Sequence, residues 1–222
     1  MSPLPILFED GEALVIDKPA GLAVDPPRAG GESLADHLDA LRLGFQRLPV
    51  AVHRLDRDTS GCLLLARNPK SAKRLGAAFE ARLVEKRYLG VVAGPVPEDA
   101  GTIDLALTKI SSAEDGWRMI AAASGKPSVT HWSKLAVADS ADGPLTLVEF
   151  RPETGRTHQI RIHALEAFGH PLLGDPIYGD GTGAARTLLH AAGLTVQREG
   201  KEPIRAVAPL PADFAALGFS DG

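Results

Sequence analysis

Cysteine is nearly absent from this 222-residue sequence: Cys62 is the only one, so no internal disulfide can form and nothing points to an oxidising compartment. Long apolar runs are missing too. In the first 21 residues Glu9, Asp10, Glu12 and Asp17 interrupt every apolar stretch, and no basic segment precedes them. Neither an export signal nor a membrane span is read there, and the expected location is cytosolic. Aromatic residues are scarce, with Tyr88 and Tyr178 the only tyrosines. A chain of this length can still bury roughly 70 % of the surface its unfolded form exposes, enough for a real core.

An excess of positive charge is lacking overall, since the net charge is −4, but the charges are segregated. Residues 1–46 hold three Lys/Arg against eight Asp/Glu, residues 47–87 ten against four, and residues 88–222 eleven against sixteen. The one positive segment suits a local anion-binding surface on an acidic protein. Within it, Arg67, Lys70, Lys73, Arg74 and Arg82 are expected on the wet face of a helix.

Along the chain, Asp10-Gly11 between two apolar runs predicts a hairpin. "SLADHLDALRLG" (33–44) predicts a first helix, with Ser33 as N-cap and Leu34, Leu38 and Leu41 inside. "CLLLA" reads as a buried strand, followed by a helix capped by Asn68 with Pro69 in its first turn. From Arg87 onward, short β-prone runs separated by Gly, Pro and Asp predict mostly antiparallel sheet. Thr157 is expected to cap a helix with Ile160, Ala164 and Phe168 inside, ending at Gly169. "TLLHAAGLTVQ" predicts a late strand and "PADFAALG" a short terminal helix. The expected fold class is α+β: a mixed, mainly antiparallel sheet with flanking helices and a central cleft, as one domain over residues 1–222.

Three clusters hold groups capable of chemistry. "HRLDRDTSG" packs Arg54, Asp56, Arg57 and Asp58 into five positions before the buried strand. Charged turns of this kind often only pair with one another, at roughly 0 to 1 kcal/mol per exposed pair. Yet an aspartate held among arginines at the mouth of a strand also suits a nucleophile or charge stabiliser. The residues themselves do not separate Asp56 from Asp58. "TGRTHQIRIH" gathers Arg156, His158, Arg161 and His163 around a helix start, where backbone N–H groups favour anions. "EKRYLG" places Lys86 and Tyr88 on one face of a strand.

Together with "VIDKPAG", "GHPLLGDPIYG" and "LLHA", these motifs occur in the order of the RluA family of RNA pseudouridine synthases, which the chain resembles from about Leu14 to Leu210. The resemblance implies isomerisation of uridine in RNA: the bond from ribose to the ring nitrogen breaks, the uracil turns in place, and a carbon–carbon bond replaces it. It implies no metal and no organic cofactor. It makes Asp56 the catalytic aspartate, Arg161 its partner, and Tyr88 the aromatic packed on the target base. An aromatic face lets a detached uracil rotate with little directional penalty. Arg54 would enter the space left by the flipped base, with Arg57, Lys86, Arg156 and His158 as further RNA contacts and Leu189 as an apolar pocket wall. Lys18 and Pro19 are read as structural turn residues. The expected partner is structured tRNA or rRNA, the expected state a monomer, and the chain resembles the family's short forms, which hold the catalytic domain alone.

Two rivals stand beside this reading. A metal-dependent hydrolase would draw ligands from His53, Asp56, Asp58, His158 and His163, although no tight metal-binding spacing is present and Arg54, Arg57 and Arg161 would oppose a cation. A non-catalytic RNA-binding module would not need an Asp–Tyr–Arg set.

Overall fold

In a computed structural model of the chain, residues 4–27, 29–112 and 116–220 are described. Among them the elements run β1 (Ile6–Glu9), β2 (Ala13–Lys18), β3 (Val50–Ala51), β4 (Ser60–Ala66), α1 (Pro69–Glu80), β5 (Val84–Val92), β6 (Ala100–Asp104), β7 (Leu107–Ser112), β8 (Gly116–Ala121), β9 (Val129–Ser140), β10 (Gly143–Pro152), α2 (Gln159–Phe168), β11 (Leu189–Val196), β12 (Ile204–Val207) and α3 (Ala212–Ala215). Strands predominate over helices, giving the mixed-sheet α+β class expected from the sequence.

The chain forms two compact units, one of residues 1–86 and 190–209, the other of residues 87–189 and 210–222. In the first unit β2 pairs antiparallel with β1 and β4, and β3 pairs antiparallel with the end of β4. Strand β11 joins β4 in parallel, at His190 opposite Ser60 and Ala191 opposite Gly61, and β12 returns antiparallel along β11. All seven residues of β4 are buried. Its even-numbered side chains Cys62, Leu64 and Ala66 join Val15, Leu75, Leu194 and Ile204 in one core. Burial and the nearby Asp17 push the Cys62 thiol up to about 12, which leaves it an inert core group.

The predicted hairpin forms because Asp10 Oδ1 accepts the N–H groups of both Glu12 and Ala13 at 2.8 Å. Helix α1 starts as expected, Asn68 Oδ1 accepting Ser71 N–H at 2.9 Å. Lys70, Lys73 and Arg74 lie exposed on it, whereas Arg67 does not. Arg67 directly follows β4 and does not face water: it is 3 % exposed, bonds Glu9 Oε1 at 2.8 Å and Arg42 O at 3.2 Å, and stacks over Phe45. Arg82 lies beyond the helix, exposed, with φ +59°.

The helix predicted over 33–44 is instead two 3₁₀ turns, Leu34–His37 and Ala40–Arg42. Only Leu34 and Leu41 are buried in these turns. Two anchors are too little apolar contact to hold a short isolated α-helix, so i→i+3 turns replace it. Here Asp36 Oδ2 accepts Ser33 N–H at 2.9 Å, and Leu43 closes the segment in the left-handed region at φ +50°.

In the second unit β10 pairs antiparallel with β5 and β9, and β9 with β6, while β7 and β8 form a separate hairpin. Helix α2 begins one residue later than Thr157 as N-cap would place it. His158 occupies the cap position with φ +53° and no side-chain cap bond, and Gly169 ends the helix as predicted. The cause is Gln159. Its Oε1 accepts Thr154 Oγ–H at 2.7 Å and Arg156 N–H at 2.9 Å, and its Nε2 donates to Val129 O and Thr130 Oγ1. Those four bonds fold "TGRTH" into a tight loop against β9.

Candidate active site

Asp56 lies in the first unit, in a turn that leads into β4, its carbonyl accepting Thr59 N–H at 3.1 Å. What holds this turn is a set of contacts to the "KPAG" segment. Lys18 is completely buried, and its Nζ donates to Pro19 O at 2.8 Å, Leu22 O at 2.9 Å and Arg57 O at 3.0 Å. Gly21 N–H also donates to Arg57 O, while Arg57 Nε donates back to Gly21 O, both at 2.9 Å. The structural role expected of Lys18 is therefore met. Arg57, expected among the RNA contacts, has its Nε engaged in fixing the loop beside Asp56.

Behind the turn, Gly61 has φ +103°, and a Cβ there would sit 2.3 Å from Ala191 O. Only glycine permits that approach of β4 to β11. One residue earlier, Ser60 Oγ meets His190 Nδ1 at 2.9 Å in a buried contact. Arg54 points to water, its side chain 72 % exposed and paired with Asp25 at 2.9 Å, so it is available to a phosphate or a vacated base position.

His53 and Lys86 belong to the same unit. His53 Nε2 accepts Leu64 N–H at 2.9 Å and its ring stacks on Phe79. Burial, helped by the nearby Lys86 ammonium, pushes its pKa down to about 3. Burial and the adjacent Arg82 lower Lys86 to about 8, which leaves it a cation at neutral pH.

In the second unit, Tyr88 is half-buried on β5 opposite Phe150 and packs against the cluster that contains Ile160, Leu172 and Leu189. The structure thus brings Tyr88 and Leu189 together in one apolar wall. Gly90, two residues along the strand, makes room for it, because a Cβ there would stand 3.0 Å from Phe150 and 3.1 Å from Leu172.

Arg161, three residues into α2 and 6 % exposed, makes a bidentate pair with Asp175: Nε to Oδ2 and Nη2 to Oδ1, each 2.6 Å. Asp175 Oδ1 also accepts Ile177 N–H and Tyr178 N–H. Burial alone would raise the Asp175 pKa, but the Arg161 guanidinium outweighs it and holds the carboxyl below its usual range. Arg161 also lies over the Tyr178 ring, 5.0 Å from its centroid. Tyr178 Oη meets His158 Nδ1 at 2.8 Å and accepts Met119 N–H at 3.1 Å. His158, expected as an RNA contact, is 9 % exposed and lies beneath the Trp117 ring. Arg156 remains half-buried, with Nε 3.4 Å from Pro127 O.

Asp175, Tyr178 and Gln159, which hold Arg161, His158 and the loop before α2, are residues that residue-by-residue reading passed over. "GDPIYG" did carry a signal, an acid before proline in a glycine-bounded loop, but its partner Arg161 lies 14 positions away. The metal-ligand set does not assemble. Among the described residues no three His, Cys, Asp or Glu side chains are grouped to hold an ion.

His163, also on α2, is wholly buried with Nδ1 2.9 Å from Thr130 Oγ1, and burial lowers its pKa to about 4. The folded state therefore binds fewer protons than the unfolded state below the unfolded His value near 6.5. Stability present above that pH is lost as pH falls toward 4, and His53 acts in the same direction. Urea unfolding at pH 5 should show about 2 kcal/mol less stability than at pH 7 from His163 alone. His163→Gln should flatten that slope whatever its effect at pH 7; an unchanged slope would contradict the buried neutral imidazole.

Comparison with known proteins identifies relatives of the chain. The RNA pseudouridylate synthase family model matches residues 12–166. An uncharacterized RNA pseudouridine synthase of Zymomonas mobilis is 51 % identical over 216 residues, covering 96 % of this chain and 97 % of that protein. The ribosomal large subunit pseudouridine synthase D of the same organism is 36 % identical over 206 residues, which span 89 % of this chain and 62 % of the relative. Among solved structures, human RNA pseudouridylate synthase domain containing 1 superposes with a TM-score of 0.78 at 31 % identity, covering 95 % of this chain and 87 % of that one. Among the described residues no helix is long and apolar enough to cross a membrane.

Proposed function

Since the chain belongs to the RluA family of RNA pseudouridine synthases, enzymes that isomerise uridine in RNA to pseudouridine, we propose that Asp56 is the carboxylate that carries the reaction here. The observation that supports this most directly is the fixed turn at residues 56–59. The Arg57 carbonyl accepts from both Lys18 Nζ and Gly21 N–H, so the backbone next to Asp56 cannot drift from the entrance of β4. A carboxylate carried on a fixed backbone suits attack on, or stabilisation of, a base that has left its stack. In this reading Arg161, itself oriented by Asp175, serves the charged site. Tyr88 gives the uracil a flat surface to turn on, with Leu189 behind it. Arg54 and Lys86 supply cations to the RNA.

The substrate in this reading is a structured tRNA or rRNA, bound by a monomer in the cytosol. Mapping pseudouridine in both RNA classes with and without the protein in its host identifies it: a site that disappears is the target, and no lost site would refute the assignment. Tyr88→Phe should keep most of the activity and Tyr88→Ala lose at least about fivefold, since stacking on an aromatic is worth about 1–3 kcal/mol per base. Equal rates for the two would remove Tyr88 from the base site. Asp58→Asn should remain within about tenfold of wild type, separating it from its neighbour.

A further inference from the structure

Trp117 is a large aromatic left 42 % exposed on β8, while the chain's other tryptophan, Trp132, is 9 % exposed and packed edge-on against Phe168. The hairpin that carries Trp117 is anchored at its base. Leu107 and Met119 are buried with Ile162 of α2, and Met119 N–H donates to Tyr178 Oη. Trp117 opposes Ser111, so it stands on the same face as Lys109 and Met119 but farther out. Its ring stacks on His158 with centroids 5.0 Å apart and planes 27° apart, and the Lys109 ammonium sits 4.7 Å from its centroid. Arg118, next along β8, is exposed on the opposite face of the hairpin.

Two features bear on what this face can hold. An exposed indole on a hairpin has little to gain from a core it does not enter. The histidine beneath it is held at φ +53°, a left-handed backbone that a non-glycine residue adopts at a cost and that is concentrated at binding and catalytic sites. His158 and Arg161, whose guanidinium is paired with Asp175, both contact the Tyr178 ring, which links the indole's stacking partner to that pair. A rigid aromatic face with a flexible cation beside it is the equipment for holding an unpaired nucleotide: the ring takes the base, and Lys109 takes an adjacent phosphate.

We infer that Trp117 is a second aromatic platform for RNA, stacking an unpaired base other than the target uridine and so favouring substrates whose loop extends beyond the modified position. This deepens the proposed function and rests on it for the identity of the polymer. Lys109, now over the indole, is the group that turns to phosphate when the base arrives.

The test uses tryptophan emission with two RNA probes, a stem-loop with an unpaired loop and the blunt duplex of the same stem. Emission of the wild-type protein should be quenched by the stem-loop and much less by the duplex. In Trp117→Phe, where Trp132 alone emits, the quenching should vanish while stem-loop affinity stays within about threefold. Trp117→Ala should bind the stem-loop about tenfold more weakly. For any RNA the enzyme converts, Trp117→Ala should raise KM by a similar factor and leave kcat within about twofold. Equal quenching by both probes, quenching that persists in Trp117→Phe, or unchanged affinity in Trp117→Ala overturns the platform. Failure of the isomerase reading looks different: no RNA gains pseudouridine, yet loop-dependent quenching through Trp117 remains.

Discussion

Asp56→Asn will bind RNA about as well as the wild type and convert no measurable uridine, a loss of at least about a thousandfold in turnover. The substitution keeps the size of the side chain and its place in the turn, so the Lys18 and Gly21 bonds to Arg57 O survive. What it removes is the negative charge and the nucleophilic oxygen, and an amide cannot replace either. Single-turnover conversion of the mapped RNA, measured beside binding and thermal unfolding, separates chemistry from folding. Full conversion by this variant would end the assignment of Asp56, and a large drop in melting temperature would show the change to be structural.

Asp175→Asn should fail in a different way. It removes the charge from a bidentate pair whose members are 6 % and 1 % exposed, and breaking such a pair costs about 3 kcal/mol or more. Unlike Asp56→Asn, this variant should lower the urea midpoint and activity together, because the Ile177 and Tyr178 N–H groups and the Arg161 fork all depend on the same carboxylate. The loss should be larger with Arg161 left in place than when Arg161 and Asp175 are changed together to an apolar pair, as a double-mutant cycle would read. A urea midpoint within error of wild type would mean that the pair does not hold α2 to the "GDPIYG" loop.

The contrast between these variants follows how each residue could be known in advance. The segment that holds Asp56 was legible through its neighbours, as "HRLDRDTSG" before an oily strand, and the family resemblance, not the local residues, set Asp56 apart from Asp58. Elements that depend on local chemistry were legible in the same way. Asp10-Gly11 makes its hairpin by accepting N–H groups two and three residues on, and Asn68 and Pro69 start α1 by themselves. Where the outcome depended on distant packing, reading by period went astray. Residues 33–44 have a helical spacing of leucines, but too few of them reach a core. Arg67 follows the strand pattern into burial because Glu9, Arg42 and Phe45, all far from it in sequence, form its surroundings.

The sequence by itself determined the family, the strand-rich α+β class, the local starts and stops, and the short segment in which the candidate carboxylate lies. All of these are written in residues within a few positions of one another, or in the order of motifs. Only the tertiary structure decided which groups meet. Lys18 joins Arg57 across 39 positions, Ser60 joins His190 across 130, and Arg161 joins Asp175 across 14. Each of these contacts buries a charge or a polar group that must find a partner, and many partners in the chain have the right chemistry. The choice among them belongs to strand pairing and close backbone approach, such as that of Gly61 to Ala191, which no local pattern encodes.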